Sequence, residues 1–249
     1  MQSTHIQQLK SFLPLLFLLV FASCSEKESL SFTPLNVASH PCDSCPSVQI
    51  ALPEAEGPSK VARAINTALR EEVIELLTFD ETQQAGSIDE AIASFQRGYD
   101  ELRELYQDET PGWKAELAAE ITYEDEEWVS IRLDSYSFTG GAHGYGSVRY
   151  LNFNKQKGSE VATWELFSKQ EDFERFAELK FREQENIPAD QSINSTGFMF
   201  EDDRFYLPEN IGFCKEGIKL HYNQYEVASY ADGPIELTIP FTEVKAFLN

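Results

Sequence analysis

Strict alternation of apolar and polar residues marks the middle of the chain. From residue 113 to 124 the apolar residues recur at every second position, and charged or hydroxyl side chains fill the positions between them except at Ala118. This period of two is the pattern of a half-buried β-strand. The acidic residues 124–127 then form a predicted turn, and Val129, Ile131 and Leu133 continue the alternation as an antiparallel partner strand.

Three stretches show helical periodicity instead. Apolar residues line one face from residue 61 to 77, and a second helix is predicted from Ser87, whose hydroxyl can form a capping box with Glu90. A third helix is predicted over residues 171–184. The remaining apolar runs predict short strands at residues 48–52, 148–153, 198–200, 205–207, 211–213, 218–222 and 235–239. A short helix is predicted after the last of these strands. Because the helices and the strand hairpins are grouped separately, the predicted class is α+β, with mostly antiparallel sheets, helices packed on one face and two closely packed subdomains.

The N-terminus carries an export pattern. Lys10 precedes an apolar run from Phe12 to Ala22, which is too short for a membrane span and matches the core of a signal peptide. Ala22 and Ser23 before Cys24 resemble a bacterial lipobox, so residues 1–23 are predicted as a lipoprotein signal peptide and Cys24 as the lipid attachment site. The alternative is an ordinary signal peptide cut near Ser23. Residues 24–47 are predicted as a flexible tether.

The charge of the chain restricts its partners. Its 42 acidic and 20 basic residues give a formal net charge of −22, and no apolar run long enough to span a bilayer follows the N-terminal one. Nucleic acids and anionic lipid surfaces require clustered Lys and Arg, so both are excluded as surface partners. A basic protein partner is compatible with this charge, as is a role in solubility alone.

Two of the cysteines are closely spaced. In an exported chain, Cys42 and Cys45 favour a small structural disulfide over a redox centre, and zinc is disfavoured because no second ligand pair stands at suitable spacing. Cys214 is predicted to be either a buried free thiol or the partner of one of these two cysteines.

A glycine-rich turn, Thr139–Gly144, lies between two predicted strands. Gly140 and Gly141 allow backbone conformations and close approaches that other residues resist, and His143 follows them. The imidazole is predicted either to bind a ligand or to close the turn by bonding a backbone carbonyl. The sequence contains no nucleophile-elbow, zinc-protease or P-loop motif, so no catalytic residue, metal site or cofactor is predicted.

A tyrosine-rich segment near the C-terminus is the second candidate binding region. Tyr222, Tyr225 and Glu226 combine aromatic rings with hydrogen-bonding groups, a composition suited to contacts with sugars or proteins. Packing within a sheet explains the same residues equally well. His221 alternates with apolar neighbours and is therefore predicted to face the less buried side of its strand.

Several of these segments together resemble two bacterial domains found in tandem. The resemblance rests on residues 135–144, on Leu151–Asn154 with Trp164–Phe167, and on Tyr222–Val227 followed by residues 232–240. Residues 48–145 resemble the N-terminal domain of the peptidoglycan deacetylase PdaC, and residues 146–249 resemble the C-terminal domain of the anti-sigma factor RsiV. The pair is similar to the extracellular, lysozyme-sensing region of the RsiV family.

The resemblance implies a binding role in the cell envelope. The catalytic domain of the deacetylase and the membrane and cytoplasmic segments of the anti-sigma factor have no counterpart in this sequence, so neither activity is expected here. We therefore expect a lipid-anchored envelope protein, on the outer membrane, that binds peptidoglycan-type glycan or a lysozyme-like protein. The alternative is an enzyme acting on envelope glycans.

Overall fold

The fold is taken from a computed structural model, which describes residues 30–39, 45–79, 84–106 and 111–249. Within these ranges, no helix is long and apolar enough to cross a membrane. The elements, in chain order, are β1 (Phe32–Ala38), β2 (Ser47–Ala55), α1 (Lys60–Leu77), α2 (Ile88–Leu105), β3 (Lys114–Glu124), β4 (Trp128–Phe138), β5 (Tyr145–Asn154), β6 (Ser159–Val161), α3 (Gln170–Gln184), β7 (Asn210–Phe213), β8 (Gly217–Tyr222), β9 (Ile235–Pro240) and α4 (Phe241–Val244).

A six-stranded sheet in the order β1-β2-β3-β4-β5-β6 dominates the first two thirds of the chain. All neighbouring strands in it are antiparallel except β2 and β3, which run parallel. Helices α1 and α2 connect these two strands, as a parallel pair requires a long crossover. The α+β class and the antiparallel character of most strand pairs are confirmed.

Strand β1 corrects the prediction of a flexible tether over residues 24–47. Residues 32–38 pair in full antiparallel register with β2, from Phe32 opposite Ala55 to Ala38 opposite Gln49. Leu35 and Val37 pack against the core beneath the helices. Pro34 is tolerated because β1 is an edge strand, where a missing backbone N–H leaves no ladder bond unmade.

Helices α1 and α2 cover one face of the large sheet and enclose an aliphatic core. Ile65, Val73 and Phe95 are fully buried against Ile131 and Phe153 of the sheet. The predicted cap of α2 is confirmed at Ser87, whose hydroxyl accepts a hydrogen bond from the Glu90 amide at 3.2 Å. The Glu90 carboxylate accepts from the Gly86 amide instead of closing the box on Ser87 itself.

The three-stranded sheet β7-β8-β9 and helix α3 enclose a second core that is rich in aromatic rings. Phe181 of α3 lies at its centre, and the rings of Phe200, Phe205 and Tyr222 surround it at centroid distances of 5.3–6.1 Å. The two strands predicted at 198–200 and 205–207 are wrong. The Asn194 side chain forms both hydrogen bonds of the Phe200 backbone, so these aromatic residues enter the core from a loop.

The second sheet lies across the uncovered face of β4 and β5. Asn152 of β5 donates to the Ile211 carbonyl at 2.8 Å, and Ser130 of β4 accepts from the Phe213 amide at 3.1 Å. Gly212 lies directly against the ring of Tyr150, where a Cβ atom would overlap the ring. The predicted boundary at residues 145/146 therefore divides a continuous sheet, because β5 pairs with β4 along its whole length.

Candidate functional site

The glycine turn Thr139–Gly144 connects β4 to β5 at one end of the large sheet. Gly140 and Gly141 adopt φ angles of 106° and 88°, in the region that favours glycine. Gly144 is required for a different reason. A side chain at Gly144 would overlap the hydroxyl of Tyr136 and the carbonyl of Ser137. The turn is therefore fixed by backbone conformation at its start and by close packing at its end.

The turn brings His143 onto the tyrosine-rich segment. The imidazole stacks on the ring of Tyr230, with centroids 4.0 Å apart and planes at 19°, and Tyr230 lies 5.5 Å from the ring of Tyr225. The Tyr230 hydroxyl donates to the Gly144 carbonyl at 3.3 Å, and His143 Nδ1 lies 3.3 Å from the same oxygen. We call His143, Tyr225 and Tyr230 the aromatic patch. The imidazole contacts a carbonyl of the turn and is exposed to solvent, so turn closure and ligand binding both stay predictions for His143.

Tyr225 is presented to solvent by a tight turn. It adopts a φ of 68°, unusual for a residue with a side chain, and remains 56% exposed. The Glu226 carboxylate closes the turn by accepting from the Asn223 amide at 2.8 Å, and burial raises the pKa of this carboxyl. The Asn223 side chain bonds both backbone groups of Val148. Glu226 therefore positions Tyr225, and Asn223 ties the turn to β5.

Two neighbouring residues lie elsewhere than predicted. Tyr222, a candidate ligand-binding residue, is fully buried in the aromatic core, where its hydroxyl donates to the Tyr206 carbonyl at 2.6 Å. His221 does point away from that core, but it is only 1% exposed. The large sheet covers this face of β8, which the alternation of a single strand cannot reveal.

A groove runs along the open face of β1 to β4 beside the second sheet. It has a volume of about 690 Å³, and small side chains from three adjacent strands, Ala38, Ala51 and Ala118, line it. Larger polar or aromatic groups line the same groove, namely Asn36, Gln49, Glu116, Asp134 and Tyr136. Because the Tyr136 hydroxyl packs against Gly144, the groove ends next to the aromatic patch.

The sequence pattern indicates only part of this groove. The polar face of β3 identifies Glu116, whereas Asn36 and Ala38 belong to the strand that was predicted as a tether. The contributions of Asp134 and Tyr136 depend on the register between β3 and β4, in which Ala118 opposes Asp134 and Glu116 opposes Tyr136.

A layer of charged residues lies between the two sheets. The Glu236 carboxylate lies 2.9 Å from Lys219 Nζ, 2.9 Å from His221 Nδ1 and 3.3 Å from Arg132 Nη1. The hydrogen bond from His221 and the charge of Lys219 lower the pKa of Glu236 to about 2. The second ring nitrogen of His221, Nε2, is buried and has no hydrogen-bond partner among the described residues. These side chains pair with one another, so the layer joins the sheets.

The cysteine predictions are only partly addressed by the structure. Cys45 is disulfide-bonded, while Cys42 and Cys24 lie outside the described residues. The pairing of Cys42 with Cys45 and the lipid attachment at Cys24 therefore stay predictions. Cys214 is a buried free thiol whose pKa is raised by burial, which excludes the alternative in which it closes a disulfide. In the described part of the chain, no group of three or more His, Cys, Asp or Glu residues could hold a metal ion.

Comparison with known families divides the chain in two. Residues 42–145 match the family model described as deacetylase PdaC, and residues 165–242 match the model of a protein family of unknown function, DUF3298. The chain thus carries a PdaC-type domain followed by a DUF3298 domain. A search of curated proteins found no match.

Solved structures share the whole arrangement. A DUF3298 family member from Bacteroides fragilis superposes with a TM-score of 0.68 at 17% identity, covering 89% of this chain and 93% of that one. A DUF3298 family protein from Pseudomonas aeruginosa gives a TM-score of 0.64 at 20% identity, covering 89% of this chain and 95% of that one. At these identities the likeness shows the fold, including both sheets.

Proposed function

We propose that this chain is a non-catalytic binding protein of the bacterial cell envelope that binds peptidoglycan-type glycan at the aromatic patch and the adjoining groove. The observation that carries the proposal is the meeting of the glycine turn with the tyrosine-rich segment. Two segments about 80 residues apart in sequence form one exposed aromatic surface, through the stack of His143 on Tyr230. The PdaC and DUF3298 domains support an envelope-related role.

The chemistry of the groove fits a sugar chain. Exposed aromatic rings pack against the apolar faces of pyranose rings, and amide and carboxylate groups bond the hydroxyls at the ring edges. Tyr225 supplies such a ring, and Asn36, Gln49 and Asp134 supply polar groups along the groove. The small alanines leave room for an extended ligand to lie against the sheet.

The setting of His143 favours binding over catalysis. A catalytic triad places a carboxylate or amide beside one ring nitrogen of its histidine and a nucleophile beside the other. Here the imidazole lies flat on Tyr230 and its Nδ1 contacts a backbone carbonyl. The ring therefore offers its outer face to a ligand.

The proposal includes a lipid anchor at Cys24 and a location on the outer membrane. The lipobox-like residues before Cys24 support the anchor, and Ser25 after it, in place of an aspartate, favours the outer membrane. Labelling of growing cells with a clickable palmitate analogue tests the anchor. Wild-type chain should become labelled and Cys24→Ala should not. Equal labelling of both would contradict the anchor.

A basic, lysozyme-like protein is the second candidate partner. It is favoured by the net charge of −22. Long-range attraction between opposite charges accelerates such an encounter and weakens with salt.

Co-sedimentation of the purified full chain with insoluble peptidoglycan tests the first candidate. We expect saturable binding that His143→Ala or Tyr225→Ala reduces about tenfold, which corresponds to the loss of about 1.4 kcal/mol of binding free energy. Met199→Ala is the matched control, because Met199 is 50% exposed and lies outside the patch and the groove. A parallel pull-down with lysozyme at low and moderate salt tests the second candidate.

The outcomes separate the candidates. Peptidoglycan binding that depends on the patch supports glycan recognition, and salt-sensitive lysozyme binding without peptidoglycan binding favours the protein partner. If neither is bound, the proposed function is wrong. Release of new reducing ends from peptidoglycan by the pure chain would overturn its non-catalytic character.

A further inference from the structure

A second cleft lies on the other side of the polar layer, away from the aromatic patch. It has a volume of about 380 Å³, within the range of about 300–1,000 Å³ usual for small-molecule sites. One wall is formed by Arg149, Tyr150 and Glu160, and the other by the 3-10 helix Thr163–Leu166 and residues 207–210. None of its lining residues belongs to the groove or to the aromatic patch.

Trp164 forms the rim of this cleft and is 64% exposed. The other two tryptophans of the chain, Trp113 and Trp128, are buried, at 6% and 9% exposure. Tryptophan is the largest aromatic side chain and is enriched at the energetic centres of binding surfaces. An indole left in solvent at the mouth of a cleft therefore offers a platform for a flat apolar ligand surface.

The platform is held rigidly. Leu166 and Phe167 on its C-terminal side are buried in the aromatic core. Thr163 Oγ1 donates to the Glu209 carbonyl at 2.7 Å, and the Asn249 side chain donates to the Glu165 carbonyl at 2.7 Å. Because the backbone on both sides of Trp164 is fixed, a ligand that orders the indole restricts only the side-chain torsions of Trp164.

The charged groups that line the cleft are the guanidinium of Arg149 and the carboxylates of Glu160 and Glu209. Arg149 forms an ion pair with Glu72 of α1, and its positive charge also reaches Glu160. The Glu160 side chain reaches solvent, although the packed wall behind its carboxylate raises its pKa. Among the described residues, no hydrogen bond or salt bridge ends on the Glu160 carboxylate. Its acceptors, and the exposed side of the Arg149 guanidinium, remain available to a ligand.

We propose that this cleft is a saccharide-binding site, in which a pyranose ring stacks on Trp164 while its hydroxyls bond Glu160 and Arg149. An anionic ligand would face the carboxylates of Glu160 and Glu209, and a cationic ligand would face the Arg149 guanidinium. A neutral sugar avoids both repulsions, because its hydroxyls donate to the carboxylate and accept from the guanidinium. The site goes beyond the proposed function, which uses the groove and the aromatic patch.

Calorimetric titration of the full chain with a tetramer of N-acetylglucosamine tests the site. The titration is made in the variant His143→Ala/Tyr225→Ala, which weakens the first glycan site. We expect saturable binding to remain, to weaken at least tenfold in the added change Trp164→Ala and to weaken less in Trp164→Phe. Leu179→Ala is the matched control, since Leu179 is 63% exposed on the outside of α3.

Glu160→Gln is a second test variant, and it preserves the shape of the cleft. It should weaken sugar binding, and thermal unfolding of each variant shows whether the fold is intact. Absence of saturable sugar binding, or binding that Trp164→Ala and Glu160→Gln both leave unchanged, would overturn the site. Trp164-dependent binding of tetralysine but not of the sugar would assign the cleft to a basic peptide and would equally refute the saccharide. Loss of peptidoglycan binding in the patch variants bears only on the first site.

Discussion

The two faces of the six-stranded sheet are buried by different chemistry. Under α1 and α2, the contacts are aliphatic and aromatic, with Ile65, Phe95 and Phe153 fully enclosed. On the opposite face, the second sheet meets β4 and β5 through Ser130, Asn152 and the ion pair of Arg132 with Glu236.

The difference shows how one sheet can serve both stability and function. An apolar layer stabilises in proportion to its buried area, whereas a polar layer requires matched donors and acceptors and adds little net stability. The polar contacts cover parts of β4 and β5 and one end of β3, where Thr122 donates to the Phe213 carbonyl at 2.7 Å. The rest of the open face of β1 to β4 remains free as the groove. Four predictions test this division, from the largest expected effect to the smallest.

Phe153→Ala tests the apolar face. Its ring is fully buried beneath the helices, so its removal should lower the free energy of unfolding by about 3–5 kcal/mol. Urea unfolding monitored by circular dichroism measures the change. Tyr145→Ala, an exposed position on the same strand, should stay within about 0.5 kcal/mol. A Phe153→Ala loss below 1 kcal/mol would refute the importance of this core.

Gly212→Ala tests the fit between the two sheets. The new methyl group would overlap the Tyr150 ring and force the layers apart, which should cost about 1–3 kcal/mol of unfolding free energy. Gly146→Ala is the matched control, because a Cβ there meets its nearest neighbour at 3.7 Å. Equal unfolding midpoints for the two variants would contradict the close packing of β7 on β5.

Glu236→Gln tests the polar layer through its pH dependence. The pKa of Glu236 is lowered to about 2 from an ordinary value of 4.5, so the ionised carboxylate stabilises the folded chain above pH 4.5. This contribution should decrease as the pH falls from about 4.5 to 2. Glu236→Gln should therefore be less stable at neutral pH and show a flatter stability profile over that interval.

Unfolding midpoints measured from pH 7 to pH 2 provide the comparison. Glu120→Gln, an exposed change on the large sheet, serves as the control. If the profile of Glu236→Gln parallels that of the wild type through the acid range, the carboxylate does not hold the layers together.

His143→Ala tests whether the aromatic patch serves binding instead of folding. The imidazole is exposed, so we expect the free energy of unfolding to change by no more than about 0.5 kcal/mol. Glycan binding should nevertheless decrease. A loss of stability above about 2 kcal/mol with unchanged glycan binding would assign His143 to the closure of the turn alone.

Local patterns predict the elements whose burial is one-sided. The alternation of β3 and the cap of α2 at Ser87 follow from such patterns, and the structure has both. The α+β class follows from the same reasoning. Each of these features depends on residues that are close together in the sequence, so the pattern of residue types shows it directly.

The wrong predictions concern features that depend on contacts between segments distant in sequence. Strand β1 is stabilised by pairing with β2, not by a pattern of its own, and Pro34 obscures it. His221 becomes buried because a second sheet covers its side of β8. The register that brings Asp134 and Tyr136 into the groove depends on strand pairing. The stack of His143 on Tyr230 likewise depends on the docking of the two sheets, so sequence reasoning identified both segments without their contact.

The pairing of β1 also sets how far the binding surface could travel from a membrane. Phe32 already belongs to the sheet, so only eight residue steps separate it from Cys24. At about 3.3–3.6 Å per residue, a fully extended chain of that length spans about 28 Å. With the lipid attached at Cys24, the groove would stay close to the headgroups, able to turn about its attachment but not to reach far. Its ligand would then have to come to the bilayer surface.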